Sequence, residues 1–195
     1  MKRLLHLSVV LAAVLTLVGC GGKDYTPKPT AYLRIDLPEK HYSVYDTAAL
    51  PFRFEHSSDC EIVWKRDNRS EKWIDLYYPR LRSVVYLSYK KINGTDDMRA
   101  QIDTSYKFLS MHFDHSSGID ERQYVDNDNR IYATTNRLRG THVASTYQFW
   151  ATDSLHHFLR GSLYLDYTPN NDSLAPVIEY LQADIDHLIE TLRWR

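Results

Sequence analysis

The sequence predicts an α+β fold, a mostly antiparallel sheet covered by two helices, after a cleaved lipoprotein signal peptide. Three observations predict it. Short segments of period two recur between residues 51 and 167, separated by polar turns. Two stretches, one in mid-chain and one at the C-terminus, carry apolar residues at spacings of three and four. The first nineteen residues fit neither pattern and read as a leader.

The leader is bounded by its chemistry. Lys2 and Arg3 precede a run of Leu, Val and Ala over residues 4–18, about the length of a signal core and too short to cross a membrane comfortably. It ends in Leu17-Val18-Gly19-Cys20, a lipobox, so residues 1–19 are expected to be removed and Cys20 lipidated. Each buried methylene of an acyl chain contributes roughly 0.8 kcal/mol, so several chains on one thiol anchor durably. Residues 20–30 are small, polar and Pro-bearing, a lipidated tether. Residues 31–195 are expected to form a single α+β domain.

The elements follow in order. Tyr32, Leu33, Ile35 and Leu37 are too apolar for pure linker, whereas 41–50 reads as loop. Phe52 and Phe54 alternate with Arg53 and Glu55. Strands are expected over 60–65, 73–78 and 83–91, divided by Asp67-Asn68-Arg69-Ser70 and by Pro79, and closed by Asn93-Gly94. Thr95-Asp96-Asp97 has the hydroxyl and acidic first turn of a helix start, and Met98, Ile102, Tyr106, Leu109 and Phe113 form one helical face. Four more strands are expected over 121–126, 130–138, 141–151 and 157–167, with connections short enough for antiparallel pairing. The last helix has a continuous stripe of Leu174, Val177, Ile178, Leu181, Ile185, Leu188, Ile189 and Leu192, with Gln182 and Asp186 on the polar side. Asp172 or Ser173 is expected to cap it, with Pro176 in the first turn. The architecture is similar to small PsbP/Mog1-like domains.

Composition narrows the function. Without Lys2 and Arg3 the charge is about −3, which argues against nucleic acid as the main partner. With Cys20 lipidated, Cys60 has no intramolecular partner and is either a buried strand residue or a reactive thiol. His112 and His115 stand three apart where the first helix frays before Gly118, better suited to solvated helix-end histidines than to a metal. His156 and His157, adjacent on a strand, point opposite ways. Arg160-Gly161-Ser162 lies inside a strand rather than at a nucleophile elbow, and no phosphate-binding glycine loop occurs. No catalytic residue, metal site or cofactor is therefore assigned. Fifteen Tyr and four Trp suit half-buried strands. Trp73, Tyr77, Tyr86, Tyr89, Tyr147 and Trp150 are more aromatic surface than one core needs, and form either ordinary sheet residues or a partner-binding face.

Several stretches carry a family resemblance. They are Pro27-Lys28-Pro29, Arg34-Ile35-Asp36-Leu37-Pro38-Glu39-Lys40, Phe52-Arg53-Phe54, Trp73-Ile74-Asp75-Leu76 with Tyr78-Pro79, and Leu87-Ser88-Tyr89-Lys90. They continue in His157-Phe158-Leu159-Arg160-Gly161-Ser162-Leu163-Tyr164 and in Pro169-Asn170, Asp172-Ser173-Leu174-Ala175-Pro176-Val177 and Trp194. In these the chain resembles the gliding-motility lipoprotein GldD family of Bacteroidetes over nearly all of its mature length. The resemblance implies a non-enzymatic component or assembly factor of the gliding motility and type 9 secretion machinery, with other envelope proteins as partners and no catalytic residues to carry over. It implies a cell-envelope lipoprotein; the outer membrane is the expected site, and the single acidic residue in Gly21-Gly22-Lys23-Asp24-Tyr25 favours the periplasmic face. In that setting Asp46-Thr47-Ala48 fits an O-glycosylation pattern, with Thr47 as acceptor. Two other readings stay open: a periplasmic lipoprotein that captures a ligand or client on its aromatic sheet, and an envelope hydrolase.

Overall fold

The computed structural model describes residues 36–168 and 170–195. The signal peptide, Cys20 and the tether lie outside the described residues, as does Pro169. The described chain runs β1 (Tyr42–Tyr45), β2 (Phe52–Ser57), β3 (Glu61–Asp67), β4 (Glu71–Tyr78), β5 (Ser83–Lys91), α1 (Thr95–Ser110), β6 (Gly118–Asp126), β7 (Ile131–Arg139), β8 (Tyr147–Thr152), β9 (His157–Leu165), α2 (Asn171–Thr191) and β10 (Arg193–Trp194). Seven strands form one sheet in the order β3-β4-β5-β9-β8-β7-β6, and β1, β2 and β10 form a small second one. Every pairing is antiparallel, so the α+β class with an antiparallel sheet and two helices is what the chain adopts.

The connectivity explains where the helices lie. The meander β3-β4-β5 and the meander β6-β7-β8-β9 join through β5 and β9, from Ser83 opposite Leu165 to Lys91 opposite His157. The chain leaving β5 must therefore reach the far edge to begin β6. It crosses one face of the sheet as α1, against β8 and β9. After β9 the chain crosses the other face as α2, which packs with β2 over the buried side.

That buried side holds the main core. Ile74 and Leu76 of β4, Val85 and Leu87 of β5, Leu159 and Leu163 of β9, and Phe149 of β8 meet Val177, Leu181, Ile185 and Leu188 of α2. Phe52 and Phe54 of β2 close it. Gly161 is required on this face: a Cβ there would lie 2.0 Å from Cε1 of the Phe149 ring, which rests on the backbone of β9.

Local expectations are corrected in four places. Tyr42–Tyr45 is a strand rather than loop, because backbone pairing to β2 holds it where no alternation marks it. Residues 141–146 form a connection rather than strand, since Gly140 turns the chain at φ +136 and β8 starts only at Tyr147. Thr95 does not cap α1: Gly94 holds the cap position, and the Asp97 carboxylate accepts the Asn93 backbone N–H at 2.9 Å. Neither Asp172 nor Ser173 caps α2, which begins at Asn171, so Pro176 falls in its second turn; Asp172 instead accepts a hydrogen bond from Thr141.

Candidate functional site

Strand alternation sends residues 73, 75 and 77 of β4 and residues 86, 88 and 90 of β5 away from the core. With Phe158, Arg160, Ser162 and Tyr164 of β9 they make the opposite face of the sheet. Among the described residues only α1 lies over it. A helix is about 10–12 Å wide and strands sit about 4.8 Å apart, so one helix covers roughly two strands. Here those are β8 and β9, and the β3-β4-β5 half is left open.

The result is a groove of about 750 Å³. Its floor is Trp73, Tyr86, Ser88 and Phe158, and its wall is Gln101, Thr104 and Phe108 of α1. The spacing of those wall residues puts them on one side of the helix, beside the row Met98, Ile102, Ser105 and Leu109 that packs downward. Tyr106, expected in the packing row, leans out instead and donates to Glu121 at 2.7 Å. A shallower depression of about 500 Å³ continues toward Tyr77 and Tyr164, sharing Lys65, Asp75 and Tyr86 with the groove.

Polar groups punctuate this face. Burial raises the Asp75 carboxyl, and Lys65 at 3.6 Å works against that rise. Arg66 lies 4.0 Å over the Trp73 ring. Arg160 stacks 4.7 Å over Phe108 and donates to Gln148 Oε1 at 2.9 Å and Ser162 Oγ at 3.4 Å. Burial pushes the Arg160 guanidinium below its ordinary range, and among the described residues no carboxylate forms an ion pair with it.

The aromatic residues singled out from the sequence divide between the two faces. Trp73, Tyr77 and Tyr86 lie together on the open face, 42, 40 and 46% exposed. Trp150 shares that face but is half-buried, its ring stacked 6.0 Å from Phe158. Tyr89 and Tyr147 do not belong to a surface. They are 3 and 5% exposed on the core side, where Tyr89 bonds His157 at 3.0 Å and Tyr147 bonds Asp186. The reason is parity: positions 86 and 89, like 147 and 150, differ by three, and an odd step along a strand changes face.

The remaining candidates are resolved locally. Cys60 is a free, buried thiol beside His56, pushed up to about 12 by burial first and the Asp184 charge second. His157 faces Trp194 in a 5.1 Å stack while His156 points outward near Asp153. His112 contacts Tyr164 at 3.5 Å, and burial lowers it. No group of three or more His, Cys, Asp or Glu gathers at a metal-sized site among the described residues. Thr47 sits half-buried in the turn after β1, with Asp46 paired to Arg195.

Two residues were missed. Arg160 reads as part of an ordinary strand, although a cation between Leu159 and Gly161 on an inner strand is itself a signal. Asp184 is buried, yet it sits on the apolar stripe four before Leu188 and three after Leu181. Its partners, Lys40 at 2.5 Å and Tyr42 at 2.9 Å, are more than 140 residues away in sequence.

A family model described as gliding motility lipoprotein GldD matches residues 22–194. The chain belongs to this family. Membership makes it a gliding motility lipoprotein by family, and a lipoprotein family implies a cell-envelope anchor. No helix among the described residues is long and apolar enough to cross a membrane. No curated protein matches the chain. Among solved structures it is similar to cyanobacterial PsbP from Synechocystis sp. PCC 6803, at 10% identity and a TM-score of 0.47, covering 84% of this chain and 98% of that one. That likeness is too slight to bear on function.

Proposed function

We propose that this protein is a non-enzymatic subunit or assembly factor of the gliding motility and type 9 secretion machinery, held by lipid on Cys20 to the periplasmic face of the outer membrane. The observation that carries the reading is the family match over residues 22–194. The exposed Trp73, Tyr77 and Tyr86 support a partner surface on the open face, since Tyr and Trp are enriched where proteins bind one another. Deletion in the source bacterium is expected to abolish export of type 9 cargo and to lower the levels of partner envelope proteins. Normal export in the deletion strain would sink the assignment.

A second reading is favoured by one feature, the 750 Å³ groove, whose size is that of an organic-ligand site: a client or ligand is captured on the aromatic face. Thr47 is proposed as an O-glycosylation acceptor, checked by the intact mass of native protein with and without Thr47→Ala. The same mass for the native chain as for the unmodified sequence would remove that site.

A further inference from the structure

At the inner end of the groove, under α1, lies a cavity of about 10 Å³, lined by Asn136, Gln148, Trp150 and Arg160 among others. That is room for one oxygen-sized group. Gln148 and Asn136 are only 3 and 4% exposed, yet Gln148 Nε2, Trp150 Nε1 and Asn136 Oδ1 have no hydrogen-bond partner among the described residues. Buried polar atoms left unpaired are costly, and the two donors call for an acceptor, whereas Asn136 Oδ1 is itself an acceptor and does not bear on an anion. Arg160 adds more: among the described residues two of its five N–H donors are used, by Gln148 and Ser162, and no carboxylate forms an ion pair with it. Arg160 and Ser105 line both the cavity and the groove, so the donor cluster opens onto the aromatic floor.

We propose that this groove binds the C-terminus of a partner polypeptide, with the terminal carboxylate on Arg160, Gln148 and Trp150 and apolar side chains against Trp73, Tyr86 and Phe108. The proposal rests on the reading of the open face as a partner surface and names what that surface recognises. Charge decides for an anion, since a neutral sugar would leave the guanidinium uncompensated. The floor and wall decide for a peptide. Ser88, Gln101 and Thr104 interrupt the aromatic residues, and a peptide backbone offers them partners, whereas an acyl chain would strand them.

The test uses the full-length lipoprotein in nonionic detergent, titrated calorimetrically with N-acetyl-Phe-Phe as the free acid and as the amide. The acid is expected to bind about tenfold or more tighter, the scale of a charge-assisted hydrogen bond. Arg160→Gln should erase that preference, weakening the acid far more than the amide. Phe108→Ala, at an exposed wall position, should weaken both, and it keeps the test decisive should Arg160→Gln not fold. Equal affinity for acid and amide, no binding of either at millimolar concentration, or tighter binding of octanoate than of the peptide acid would each overturn the proposal. If Trp73→Ala impairs cargo export in cells while acid and amide bind alike, the partner surface stands and the carboxylate site falls.

Discussion

The two faces of the seven-stranded sheet come from the same strands and differ in what lies over them. The core side is closed by α2 and by Phe52 and Phe54, and its side chains are almost wholly withdrawn from water. Among the described residues the other side receives only α1, packed through Ser105, Leu109 and a small cluster with Leu138 and Val143. It leaves Trp73, Tyr77 and Tyr86 in contact with solvent. Apolar area removed from water stabilises by roughly 25 cal/mol per Å², so the closed side carries most of the folding free energy. The open side keeps large aromatic groups where their burial remains available to a partner.

Changes on the two sides should therefore separate into stability effects and binding effects. The largest stability loss is expected from Lys40→Met, which leaves the 1%-exposed Asp184 carboxylate with the Tyr42 and Tyr78 hydroxyls but without its cation. Removing one partner of a buried pair costs about 3–5 kcal/mol, and the partial exposure of Lys40 places this case at the lower end. Urea unfolding measures it. Gly161→Ala comes next, at about 1–3 kcal/mol, because the new Cβ meets the Phe149 ring. Phe149→Leu in the same chain should recover part of the loss, and simple additivity of the two changes would show that the ring is not the obstacle.

Acid exposes a third difference. Burial holds His157 below its usual value of 6.5, in a stack with Trp194 and within reach of Tyr89. A histidine lowered in the fold contributes stability that is present above 6.5 and lost as the pH falls through its folded value. His112, on the open face, is lowered in the same direction. His157→Phe keeps an aromatic partner for Trp194 and should flatten the acid limb of a plot of melting temperature against pH, leaving the part due to His112. An unchanged limb would assign the whole effect elsewhere. The smallest stability effect belongs to Trp73→Ala, within about 0.5 kcal/mol, as for other surface changes. A loss as large as that of Lys40→Met would mean that the open face is part of the core after all.

Much of this fold was legible in the chain. Alternation marked most of the long strands, and the stripe from Val177 to Leu192 marked α2, because both patterns are written in local periodicity. Strand β1 and the two-residue β10 carried no such mark and exist through pairing with β2. At the site, Trp73, Tyr77 and Tyr86 were found by composition. The misplacement of Tyr89 and Tyr147 came from counting aromatic residues without counting parity. Arg160 and Asp184 went unread for a different reason. A charge inside an apolar pattern has meaning only once its partner, or the lack of one, is known, and Asp184 finds Lys40 across 144 positions.

By itself, then, the sequence determined the α+β class, the antiparallel hairpins, the amphipathic C-terminal helix and the family to which the chain belongs. These depend on neighbours in sequence, or on residue identities at matched positions. Only the tertiary structure decided which face stays open. That followed from the route of α1, which must travel from β5 to the far edge and covers two strands on its way. The same route brings Phe108 beside Trp73 and Tyr86, and sets Arg160 beneath the helix with no carboxylate paired to it among the described residues. Long-range placement makes the groove, and no local pattern in the chain records it.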